Sequence, residues 1–367
     1  MLVKSPASPL RLISKTPLVL LAFAAAACGT PVVPPPEDVL VDAASDTAAD
    51  AADASEVKAG TLKWTQASTG STSKIRAVAS IPGKVGQYAA VGDNAKVWLY
   101  DGSQLNEIPP TIVPGAMLRS VWVGADGTIF AAGTAGALIT YDGKIWSATG
   151  ETPPDAQFTG ISGFGKEVWA VGEKHAAWKG DGSTWLPGQV STTVSIDAAE
   201  ITKESDFTCV YVAAADDIWI GATPGVNSVG VVLHGKPGAW KAYPTPVVPV
   251  GLYASGTTAM VVGGTVGDYV AKLDGDKFVK QDVAWAQGFL SVNGLDGNAI
   301  WATAAKGQMR KYDGKSWSPE YIASPPGTKP DDAIDVGGLN LVGVAVQSAD
   351  ERAVVSPFYL YRWGRQP

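Results

Sequence analysis

From about residue 61 to the C-terminus, short apolar β-prone runs alternate with polar turn pairs, most clearly over 121–150, VWVGADGTIFAAGTAGALITYDGKIWSATG. There SVWVG, TIFAAG, ALITY and KIWSA are separated by Asp126-Gly127, Ala135-Gly136 and Asp142-Gly143. This is the pattern of four antiparallel strands joined by hairpins, called A to D here from first to last. Each run has about five or six residues, too few to bury both faces of a lone sheet, so each unit must stack on others like it.

Two columns of residues count the units. On strand B, the position three before a small residue reads Ala89, Phe130, Trp169, Trp219, Met260, Trp301 and Val342. On strand D, the bulky position reads Leu105, Trp146, Trp185, Trp240, Phe278 and Trp317. Both columns step by about 40 residues, apart from steps of 50 and 55 into the fourth blade, which is the spacing of a repeat architecture with one enlarged loop. One outer strand is missing from the second column, and TLKWTQAS at 61–68 reads like KIWSATG. The pattern therefore predicts an all-β fold, a seven-bladed β-propeller of four-stranded blades over 61–367. Its ring is closed by the N-terminal strand at about 61–68 joining the last blade, which leaves no broken edge to template aggregation.

The motifs VWAVG at 168–172, YDGKIW at 141–146 and YDGKSW at 312–317 resemble the repeats of bacterial propeller lipoproteins, loosely grouped with the Kelch, Asp-box (BNR) and YVTN propellers. The resemblance covers essentially all of 61–367. It implies the fold and leaves the function to be argued from a site.

Ahead of the repeats the pattern changes. Lys4, Arg11 and Lys15 precede PLVLLAFAAAAC, an apolar run too short to span a bilayer and suited to a signal-peptide core over 1–27. Ala25-Ala26-Ala27-Cys28 resembles the lipobox of bacterial lipoproteins. That resemblance implies cleavage before Cys28, a diacylglyceryl thioether on its sulfur and a further chain on the new amino group. Two or three acyl chains anchor stably where one holds only marginally. The implied location is the bacterial cell envelope, with Gly29 pointing to the outer membrane or cell surface. Residues 28–60 combine the lipidated cysteine with a Pro/Ala/Asp-rich stretch that is expected to be a disordered, solvated tether.

Composition adds exclusions. Gly 42, Trp 13 and 17% charged residues suit an all-β domain with many tight turns. The formal charge is -7, with the acidic excess concentrated in the tether and no basic footprint for nucleic acid. Two cysteines and two histidines provide neither a disulfide framework nor a zinc site, so no metal or cofactor is expected. The domain is expected to be monomeric, with membrane contact through the lipid. Asp101, Asp142, Asp274 and Asp313, each followed by glycine, are read as turn residues rather than repeated calcium ligands. Tryptophans in the B and D columns are assigned to packing between blades, whereas Trp98 and Trp122 fall outside them and stay open to sugar stacking. Cys209 reads as an inert buried thiol. His175 and His234 occupy different strand positions.

One constellation remains. On the innermost strands, the position before the small residue reads Arg76, Arg119, Thr159, Thr208, Val250 and Leu290, with the seventh blade near Ile334 and Asp335. These positions lie where strand A meets the face shared by the D-to-A and B-to-C loops. Arg76 and Arg119 should point to the mouth of the central channel, and Arg352, read as lying on a B-to-C loop, should join them. Clustered guanidinium groups suit a carboxylate or phosphate. Alternatively, Asp335 or another acid pairs with them and the cluster only plugs the channel. The D-to-A connections EIPPTIVPGA, ATGETPPDA, YPTPVVPV and EYIASPPGTKPDD are long and Pro-rich, as partner-facing loops on a rigid scaffold are. With no nucleophile elbow, metal cluster or phosphate loop, the expected function is a non-catalytic, membrane-anchored propeller that binds a protein, peptide or glycan partner at this face. The alternative is a glycan-active propeller enzyme, a sialidase-like hydrolase or lyase, which a buried carboxylate beside the arginines would favour.

Overall fold

Strand B of the first two blades, Tyr88–Gly92 and Ile129–Gly133, is buried at every residue. Runs such as YAAVG and IFAAG lack polar alternation because each face of the strand is covered by a neighbouring sheet. The computed structural model describes residues 62–148, 152–190, 195–196, 199–200, 205–224, 230–263, 269–283, 288–322 and 339–365. The signal, the tether and Asp335 lie outside the described residues.

Seven four-stranded antiparallel sheets form the blades. Blade one runs Ile75–Ser80, Tyr88–Gly92, Val97–Tyr100 and Leu105–Glu107 from the axis outwards. Blade seven closes the ring: its order is Leu62–Ser68, Tyr359–Arg365, Glu351–Val355, Gly343–Ser348, so the first strand of the propeller is the outer strand of the last blade. The two ends pair without a break from Leu62↔Arg365 to Ser68↔Tyr359.

All seven strand-D residues, with Trp64 as the seventh, share one register: Leu105 faces Tyr100, Trp146 faces Tyr141, and Trp64 faces Trp363. The strand-B column needs one correction. Ala353 faces Ala345 as Ala89 faces Ala79, so Ala353 and not Val342 is the seventh member. The connection between Trp317–Glu320 and Gly343–Ser348 is longer than in the other blades, and the extra length slid the sequence period one strand early. One loop is also shorter than its prolines suggest: Ala239–Thr245 and Pro249–Ser255 leave only 246–248 between them. Pro244 lies on an outer edge strand, where its missing N–H costs no ladder bond.

Small residues follow the arginine column because inner strands of adjacent blades nearly touch. A Cβ on Gly160 would lie 3.1 Å from the Val210 amide nitrogen of the next blade. Where the small residue is Ser120, its hydroxyl accepts the Ile161 N–H at 3.1 Å, and Ser162 accepts the Val212 N–H at 3.0 Å. These hydroxyls satisfy backbone donors on an edge that no fifth strand covers.

The junction between blades seven and one carries a buried polar network. Arg362 donates from Nε and Nη2 to the two oxygens of Glu351, each at 2.8 Å, and Tyr88 of blade one donates to Glu351 at 2.9 Å. Burial raises the Tyr88 phenol further above its ordinary pKa, and the Glu351 carboxylate beside it adds to the shift. Gln347 caps the neighbouring turn of blade one, accepting the Gly86 N–H at 2.8 Å and donating to the Lys84 and Gln87 carbonyls at 3.0 Å.

Candidate functional site

The seven inner strands surround a cavity of about 450 Å³. At its mouth six of the seven inner strands are interrupted. The strand pairing skips from Ile75 to Ala77, Leu118 to Ser120, Phe158 to Gly160, Phe207 to Cys209, Pro249 to Gly251 and Phe289 to Ser291. The bulged residues are the column read from sequence: Arg76, Arg119, Thr159, Thr208, Val250 and Leu290. A bulge re-aims the side chain it carries, which explains why Arg76, Arg119, Thr159, Val250 and Leu290 line the cavity at one height. In blade seven the place falls to Val342, just before Gly343, and not to the region of Ile334 and Asp335.

Around the ring this column divides into two arcs. Blades one to four contribute Arg, Arg, Thr and Thr, and blades five to seven contribute Val, Leu and Val. Deeper in the channel, Val78, Val121, Ile161, Val210, Leu252, Val292 and Val344 form an apolar waist, each at most 8% exposed.

Both arginines are held by acids that sequence reasoning did not single out. Arg76 forks onto Asp93, with Nε at 2.8 Å and Nη2 at 3.2 Å, and Arg119 donates from Nη1 to Glu173 at 3.1 Å. Asp93 and Glu173 begin the B-to-C turns of blades one and three, so the partners come from the same face. A signal was present: an acid directly follows the strand-B glycine in VGD and VGE. The carboxylate side chains are 23% and 43% exposed, so neither is the buried acid that a glycan-cleaving site would place here. The arginine side chains are 37% and 30% exposed, and Arg76 Nη1 and Arg119 Nε and Nη2 donate to no described residue.

Arg352 is elsewhere. It lies on strand B of blade seven, 6% exposed, near the opposite end of the channel. Its guanidinium stands 5.5 Å from the Trp64 ring centroid and 5.2 Å from those of Trp301 and Trp363. It also pairs with Glu320 and donates to the Ala349 carbonyl at 2.8 Å. Burial lowers its pKa to about 10, which still leaves it charged at neutral pH. The sequence reading misplaced it because the period had slipped in this blade. It is a clasp on the closing strand rather than part of the mouth.

The remaining candidates divide cleanly. Asp101, Asp142 and Asp313 accept the amide N–H groups two and three residues on, at 2.8 to 3.0 Å, which holds their carboxyls below the usual carboxylate range. Their oxygens serve the turns. Trp98 is wholly buried and presents no stacking face, while half-buried Trp122 packs on Phe130 at 5.3 Å. Burial pushes the Cys209 thiol up to about 12, the behaviour of an inert core residue. His234 stacks on Trp219 at 3.6 Å and meets Asp217 at 2.7 Å. Among the described residues no group of three or more His, Cys, Asp or Glu is placed to hold a metal.

Backbone strain gathers in the described turns at the mouth. The six non-glycine residues with positive φ among the described residues, Asn94, Ala95, Ala135, Lys174, His175 and Lys306, all lie in B-to-C turns. In blades one to three each turn is latched to the loop entering the next blade: Ala95 N–H to Ala116, Gly136 to Ala156 and His175 to Ser205, at 2.6 to 2.8 Å. These bonds hold backbone that L-residues otherwise avoid. Ala135, at φ 57°, is therefore expected to gain about 0.5–1 kcal/mol on replacement by glycine. Urea denaturation of Ala135→Gly measures this, and a loss of stability would show that the turn carries no strain.

The fold and the mouth define a seven-bladed propeller with a latched, loop-built rim around a bipolar channel entrance. No family model matches the chain. It is 26% identical over 213 residues to the immune protein Tsi7 of Pseudomonas aeruginosa (strain PAO1), covering 53% of this chain and 61% of that protein. The chain thus spans less than two thirds of the relative's length. Among solved structures, it is similar to YCF48 bound to D1 peptide, with a TM-score of 0.60 and 13% identity over 84% of this chain and 100% of that one. It is also similar to streptogramin B lyase, with a TM-score of 0.63 and 13% identity over 83% and 98%. At these identities the structural likenesses establish the fold alone.

Proposed function

We propose that this chain is a lipoprotein of the bacterial cell envelope, anchored through Cys28 at the outer membrane or cell surface, whose propeller binds a protein partner at the loop-rich face without catalysis. The observation that carries the reading is the mouth itself: Arg76 and Arg119 sit at one end of the channel, part-exposed, with donors that no described residue takes up, beside the latched turns of blades one to three. A rigid scaffold of this kind binds with little ordering cost.

The similarity to a protein named an immune protein, and to a propeller solved with a peptide, supports a protein partner.

The test is capture from native envelopes by the full-length chain, with every bound species identified. Arg76→Ala/Arg119→Ala and Leu186→Arg, a change on the outer side of blade three, are run beside it. Loss of the partner by at least tenfold in the arginine variant alone, with release of Cys28→Ser from the membrane fraction, is the expected result. A partner that survives the arginine changes and is lost with Leu186→Arg would move the site to the blade sides and overturn the assignment.

A further inference from the structure

Resting on that reading, we propose that the channel mouth captures the free C-terminus of its protein partner, with the carboxylate on Arg76 and Arg119 and an apolar last side chain on Val250, Leu290 and Val342. The two arcs of the bulged ring carry the argument. Cationic and hydroxyl-bearing residues follow one another on blades one to four, and aliphatic residues follow one another on blades five to seven, at the same depth. Arg76, Arg119, Val250, Leu290 and Val342 all line the one cavity. A ligand that satisfies both arcs must bear an anion and an apolar group. The terminal residue of a peptide has both on one Cα.

The unused chemistry of each arc faces the cavity. Val250 is 42% exposed, an aliphatic side chain left in water on the rim of a pocket. Arg76 donates from Nε and Nη2 to Asp93, and Arg119 from Nη1 to Glu173; among the described residues Arg76 Nη1 and Arg119 Nε and Nη2 have no acceptor and can serve two carboxylate oxygens. Asp93 and Glu173 also fix the guanidinium planes before a ligand arrives, which reduces the ordering cost of binding. Because the two acids offset the two cations, recognition relies on directed hydrogen bonds more than on net charge.

The shape selects an end rather than the middle of a chain. Below the mouth lies the ring of aliphatic side chains, which offer no hydrogen-bond partners of their own to the backbone N–H and C=O groups of a chain threading past them. An aspartate or glutamate within a sequence would bring backbone on both sides of it to the rim. A terminal residue leaves with its chain in one direction only, outwards among the loops.

The experiment passes acetylated tetrapeptides, randomised at the last two positions, over the immobilised full-length chain. One pool has free carboxylates and the other is C-terminally amidated, and retained peptides are read by mass spectrometry. The expected result is at least tenfold greater retention of the free-acid pool, enriched in Leu, Ile, Val or Met at the last position. That advantage disappears in Arg76→Ala/Arg119→Ala. In Val250→Asn/Leu290→Asn the acid advantage remains but the aliphatic preference is lost. Thermal melts of both variants close to the wild type exclude misfolding as the cause. Equal retention of acid and amide, no retention, or retention unchanged by the arginine substitutions overturns the proposal. If peptides fail while capture of the envelope partner still depends on the arginines, the C-terminal inference falls and the protein-binding reading stands. Failure of both assays removes both.

Discussion

Replacing Glu351 by alanine is expected to cost the propeller about 3–5 kcal/mol, the range found when one partner of a buried ion pair is removed. Glu351 is 4% exposed and Arg362 is 7% exposed, so water cannot take over the abandoned guanidinium. The same substitution leaves the Tyr88 hydroxyl, on blade one, without its acceptor. The loss falls at the junction where the last blade meets the first, and domain stabilities are typically only about 5–15 kcal/mol. Urea denaturation measures the change. A loss below about 1 kcal/mol, the scale of an exposed pair, would mean that solvent reaches the network and that it does not hold the junction.

Removing the closing strand should have a comparable or larger effect by a different route. A chain lacking 61–68 loses the whole ladder from Leu62↔Arg365 to Ser68↔Tyr359 and exposes Tyr359–Arg365 as an open edge. It also removes Trp64, 6% exposed, which forms one wall of the cage around Arg352. The substitution Trp64→Ala isolates that second contribution, with an expected cost of about 3–5 kcal/mol for loss of a large buried aromatic. The deletion is expected to melt well below the wild type and to associate through the freed edge, read by thermal denaturation and size-exclusion chromatography. A deletion variant that melts at the wild-type temperature and remains monomeric would show that the ring holds without its clasp.

How far the sequence reached depended on whether a property repeats. The blade count, the strand order and the closure by 61–68 were legible because the pattern is written several times, and because the bulky strand-D residue sits at one register in every blade. The arginine column was legible for the same reason. The seventh blade was not, since one long connection moved its strands off the period; Val342 took the place meant for Ala353, and Arg352 was read as a loop residue. The acids beside Arg76 and Arg119 were hidden for another reason. Asp93 lies 17 residues and Glu173 lies 54 residues along the chain from the arginine it holds, and no periodicity links them.

By itself, the sequence determined the repeat, the turn chemistry of Asp-Gly and the identity of the column at the mouth, all set by residues close together in the chain. The tertiary structure alone decided that the column is bulged at the mouth of the channel, that Val342 completes its apolar arc, and that Arg352 is enclosed by Trp64, Trp301 and Trp363 instead of facing a ligand. The reason is geometric. Closing seven blades into a ring brings residues from opposite ends of the chain to the same depth around one axis, and their contacts depend on that closure rather than on their spacing in sequence.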